Sequence, residues 1–91
     1  METRQNEALA RAIRELAGLL GQAGRKEAAA VLDEEAASIA AGVSPRGLSA
    51  LRRMNAIRAG IAAAADVEAG AVDRTHVDAL VRDITRAMAQ N

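Results

Sequence analysis

The side chains able to do acid–base or metal chemistry are few in this sequence, and they are poorly grouped. The single histidine, His76, has Asp73 and Asp78 nearby. A metal or proton-transfer site needs several ligands, or a base with its orienting partner, at fixed spacing. One imidazole between two carboxylates at an expected helix start reads instead as a polar, surface-exposed terminus. Asp66, Glu68 and Asp73 gather acid in one short segment. A calcium loop opening at Asp66 would need a carboxylate at its twelfth position, and that position is Val77. The dipole of the helix that follows explains these acids more simply, because its first turn favours negative charge. Gly18, Gly21 and Gly24 recur at three-residue intervals. That spacing fits neither the dinucleotide fingerprint nor a P-loop, and no strand precedes it, so these residues read as a helix end and a turn.

The chain contains no cysteine and no tyrosine. Thiol catalysis, disulfides and cysteine-ligated zinc are therefore excluded, and no Ser or Thr stands beside a candidate base. No catalytic role, no cofactor and no metal are expected.

Charged residues that break an apolar pattern are more informative. Arg46, Arg52, Arg53 and Arg58 make the third expected helix basic, with no acid between the first and the last. Nucleic acid is the obvious anionic partner. At about 100° per residue, however, Arg46 and Arg53 share a side while Arg52 and Arg58 point elsewhere. No aromatic residue is present to stack on a base. Used as a recognition helix, Ile57 to Ala65 would offer base edges mainly alanine.

Arg58 and Glu35 form a second candidate site. Leu51, Met54, Ile61 and Ala65 mark an apolar face on the third helix, and Arg58 falls in its middle. Ala28, Val31, Leu32 and Ile39 mark the face of the second, and Glu35 falls within it. An isolated buried charge is costly, so each needs a partner. Three arrangements follow: Glu35 and Arg58 meet across the helix pair, one or both face another chain, or Arg58 snorkels to the edge of the core.

The elements that would position these residues are all helical. Leu9, Ile13, Leu16 and Leu20 are spaced four, three and four, the stripe of an amphipathic helix over about 3–20. Arg4, Glu7, Arg11 and Arg14 lie opposite. Ala28, Leu32, Ala36 and Ile39 give a second helix over about 25–41, stopped by Gly42. Ser44-Pro45 is a start signal for a third over 45–65, in which Gly60 marks a kink or a close helix contact. Val77, Val81, Ile84 and Met88 repeat the first stripe in a fourth helix over 75–89, with Leu80 and Ala87 widening it. Thr75 and Asp78 resemble its capping box. No segment alternates with period two. The expected fold is all-α, a single domain over 1–91 built as a small bundle of about four helices.

Composition sets the remaining bounds. Eight Leu, six Val, five Ile and three Met are the only large aliphatics, and Phe, Tyr and Trp are absent. Burying a Leu gives roughly 1.5–3 kcal/mol and an alanine methyl much less, so the core should be thin and the helices close. Self-association would bury more surface. Twelve basic and twelve acidic residues leave a formal net charge of zero, so no global field draws in nucleic acid or an anionic membrane. Eleven of the basic residues are Arg, a usage associated with GC-rich bacterial and phage genomes. Apolar runs are no longer than Ile61 to Ala65, against about twenty residues for a membrane span. The first residues lack the pattern of a signal peptide, and a cytoplasmic location is expected.

Together these features point to a non-catalytic protein-interaction module, such as an adaptor, immunity-type protein or inhibitor. Its partner would be another protein or a second copy of itself. The rival expectation is a dimeric nucleic-acid-binding regulator using Arg46, Arg52 and Arg53.

Overall fold

A computed structural model describes residues 2–42, 47–67 and 73–90, apart from the side chains of Glu2, Thr3, Gln5 and Gln90. Four helices make up the fold: α1 (Glu2–Gln22), α2 (Lys26–Ala40), α3 (Leu48–Asp66) and α4 (Arg74–Gln90). There is no strand among the described residues. The chain is thus a small all-α bundle, as its periodicity requires.

The stripe of α1 is the spine of the core. Leu9, Ile13, Leu16 and Leu20 are all buried, joined by Ala10 and Ala17 on the flank. Arg4, Glu7, Arg11 and Arg14 face solvent. The helix runs two residues past Leu20, so Gly18 and Gly21 lie inside it. Each glycine costs about 1 kcal/mol there, which burial of the neighbouring Leu16 and Leu20 offsets. At Gly21 a Cβ would lie 3.9 Å from that of Ala29, an ordinary contact, so the approach of α2 does not depend on glycine there.

Gly24 makes the actual stop. Its φ of 87° is left-handed. The Gly24 amide donates to Gly21 O at 3.1 Å and the Arg25 amide to Leu20 O at 2.8 Å, the two bonds of a Schellman ending. Gly42, with φ 80°, ends α2 in the same left-handed conformation, its amide donating to Ile39 O.

Along α2, Ala29, Leu32, Ala36 and Ile39 are buried, Ala28 is half-buried and Val31 is exposed. This helix makes the largest contact with α1. Further packing joins α4 to α1 and α3 to α2, with a lesser contact between α1 and α3. On α4, Val77, Leu80 and Ile84 are buried, and Val81, Ala87 and Met88 pack against the core.

Two starts differ from expectation. Ser44, Pro45 and Arg46 lie outside the described residues, and α3 begins at Leu48. Gly47 before it has φ 60° and ψ −129°, which a helix cannot pass through, so α3 is shorter than 45–65. The cap of α4 is Asp73, not Thr75. Its carboxylate accepts from the Thr75 amide at 3.1 Å and the His76 amide at 3.4 Å, the N-cap geometry two residues earlier than a Thr75–Asp78 box would give. Arg74 then ties α4 to α3 by donating to the carbonyls of Ala64 and Val67. A cation is well placed at a helix C-terminus.

The largest correction concerns the face of α3. Ile57, Gly60 and Ala64 are its buried residues, followed by Val67. Leu51, Met54 and Ala65 are exposed and Ile61 is half-buried. The helix is turned about 100°, one residue's rotation, from the face marked by its large aliphatics. Close approach decides the rotation. A Cβ on Gly60 would lie 2.7 Å from Leu32 Cδ2, so the missing side chain is what admits Leu32. Gly60 is a close-contact point within a continuous helix.

Candidate functional site

Glu35 has its partner on α3, but that partner is Arg53. Arg53 Nε donates to Glu35 Oε2 at 3.1 Å, and Nη2 donates to Ser38 Oγ at 2.8 Å. Side-chain exposures of 18% and 21% make this a partly buried ion pair, worth on the order of 1 kcal/mol. Position explains it. Arg53 extends the buried series 57, 60 and 64 by one turn, so its stem leaves α3 on the side facing α2. Glu35 and Ser38, three apart, share a side of α2 and receive it.

Of the three arrangements open to Glu35 and Arg58, pairing with each other across the helices is therefore not the one formed. Five residues separate Arg58 from Arg53, about 140° round the helix, and Arg58 is exposed, on the side away from α2. Arg52 is also exposed. Neither makes an ion pair among the described residues. Arg52, Arg53 and Arg58 thus leave α3 in three directions, and the one nearest the core is engaged by Glu35 and Ser38.

With α3 turned, the face that its large aliphatics mark lies outward. Leu48 is 81% exposed, Leu51 56% and Met54 37%. They step along the helix at three-residue intervals, with Arg52 at one flank and Arg58 one turn beyond Met54. Ala62 and Ala65 continue the side as small exposed residues. Leu48 escaped the sequence reading, although its spacing from Leu51 and Met54 was the available signal.

A further exposed aliphatic, Val31, is 41% exposed on α2. Glu27 and Glu34, four before it and three after, are exposed on the same side, beside exposed Ala30 and Ala37. Acidic residues thus frame an aliphatic on α2, and basic residues frame aliphatics on α3.

The remaining polar groups make ordinary contacts. His76 Nε2 lies 3.4 Å from Glu15 Oε2 across α4 and α1, both side chains about half exposed. Asp66 is exposed, Asp73 caps α4, and Glu68 lies outside the described residues. No group of three or more His, Asp or Glu is placed to hold a metal ion among the described residues. A groove of about 370 Å³ runs between Glu7, Ala10, Arg11, Arg14, Glu15 and Ala40; carboxylates and guanidiniums line it, with only alanine between them. No helix among the described residues is long and apolar enough to cross a membrane.

No family model, curated protein or solved structure matches the chain. The surfaces above are what its function must be read from.

Proposed function

We propose that the chain is a non-catalytic protein-interaction module that docks its partner on the outward face of α3. The observation that carries this reading is the exposed run Leu48, Leu51 and Met54 on a helix whose other side is committed to the core. Scattered exposed aliphatics are ordinary, but a contiguous apolar strip with charged flanks is the usual mark of a contact surface. Each such side chain gives roughly 1.5–3 kcal/mol when fully covered. An adaptor or inhibitor needs no more chemistry than this.

A nucleic-acid-binding regulator draws less support. Its contacts would be Arg46, Arg52 and Arg53, of which Arg53 is held by Glu35 and Ser38. The exposed arginines also flank leucine and methionine, which suit a protein surface better than a phosphate backbone.

Photo-crosslinking tests the choice. A photoreactive residue in place of Leu51 is compared with one in place of Arg82, exposed on α4, in cells that make the protein. Discrete protein adducts are expected from position 51 and none from position 82. Nucleic-acid adducts at position 51, or no adduct there, would overturn the reading.

A further inference from the structure

We infer that the partner on α3 is a second copy of this chain, with α3 of one molecule lying on the outward side of α2 of another. The inference rests on the interaction-module reading and names its occupant. The chain carries its own complement.

The outward strip of α3 is apolar and basic. Leu48, Leu51 and Met54 have Arg52 at one flank and Arg58 one turn beyond Met54 in line with them, and α3 holds no acid before Asp66. The outward strip of α2 is small and acidic. Val31 stands between Glu27 and Glu34, with Ala30 and Ala37 alongside, and Lys26 is the only base in the helix. Glu35 and Arg53 satisfy one another within a molecule, which leaves the outer carboxylates of α2 and the outer guanidiniums of α3 for a contact between molecules. The alanines of α2 let a helix bearing long side chains approach closely, as Gly60 does inside the bundle. Packing α3 on α3 about a two-fold axis is disfavoured, because it would bring the Arg52 and Arg58 of both copies together. Opposite charge steers the α2–α3 contact and like charge rejects the alternative. Made reciprocally about a two-fold axis, the contact closes as a dimer; made one way, it continues into a ring or a chain.

The test is sedimentation of the full chain with two charge-reversed variants, R52E/R58E and E27R/E34R, and their equimolar mixture. All four substitutions fall on exposed side chains, and circular dichroism confirms the helix content of each variant. The neutral pair R52Q/R58Q and E27Q/E34Q serves if a reversal disturbs folding. The wild-type chain should self-associate above its 9.4 kDa monomer mass. Each reversed variant should associate at least about tenfold more weakly, and the mixture should recover the lost affinity, because each variant then meets a complementary strip. A neutral pair should weaken association without recovery on mixing. A wild-type chain that stays monomeric at every concentration overturns the inference, as does association that the substitutions leave unchanged or that the reversed mixture fails to restore. A monomer that still gives adducts of other proteins at position 51 overturns the second copy alone. A monomer with no protein adduct overturns the module reading as well.

Discussion

At the scale of single residues, the fold turns on an absent methyl group. Gly60 faces Leu32, which is wholly buried and has no room to retreat, and a Cβ would lie 2.7–2.8 Å from its Cγ and both Cδ atoms. Gly60→Ala gains up to about 1 kcal/mol of helix propensity but forces a shift in a packed core, which typically costs about 1–3 kcal/mol. The clash involves Cγ as well as the side-chain tip, so the loss should win. Urea unfolding of Gly60→Ala should show a net destabilisation of about 1 kcal/mol or more. In a Leu32→Ala background the same substitution should become neutral or stabilising. A Gly60→Ala protein more stable than wild type would contradict this packing.

Glu35 shows how far residue types alone can be read. A carboxylate on an apolar face needs a cation, and the sequence identifies that need. Choosing among the arginines of α3 depends on which way the helix is turned, and a one-residue error in phase redirects the choice from Arg53 to Arg58.

At the scale of elements, legibility follows contrast. On α1 and α4, large aliphatics sit among charged residues, so only one face can be buried, and Leu9, Ile13, Leu16 and Leu20 or Val77, Leu80 and Ile84 declare it. On α3, alanine occurs at nearly every phase after Ser49. Its large side chains mark one face and its small ones another. The bundle takes the small face, because close packing against Leu32 is available only there. Helix ends were legible where glycine stops a helix, as at Gly42. They were displaced where a competing cap existed, as with Asp73 before Thr75. The candidate site was legible in its residues, Leu51, Met54 and Arg58, but not in its exposure.

This account of α3 makes opposite predictions for its two sides. In dilute protein, Leu51→Ser and Met54→Ser should each change unfolding free energy by no more than about 0.5 kcal/mol, as exposed positions do. Ile57→Ala removes a fully buried side chain and should cost about 2–4 kcal/mol. Denaturation midpoints compared across the three variants check the rotation of the helix. Equal losses at Leu51 and Ile57 would mean that both faces are buried.

At the scale of the whole molecule, the core is asymmetric. Sixteen described apolar residues are buried, six of them on α1, and five of the sixteen are alanine. The central helix is held by neighbours on more than one side, while α3 leans chiefly on α2. A thin core of this kind leaves aliphatic surface uncovered, and most of that surface is on the first two turns of α3. The small face of α3 completes the bundle, and the large face is left for the proposed contact with a second molecule.

Amide hydrogen exchange across protein concentration tests this division of α3 most directly. In dilute protein the amides of α1 should exchange slowest, and those past the first turn of α3, over 51–55, should be among the fastest helical amides. As the chain associates, exchange over 51–55 should slow by about tenfold or more, in step with the fraction associated, while α4 stays unchanged. Exchange over 51–55 that is independent of concentration, or protection that appears on α4 instead, would contradict the account.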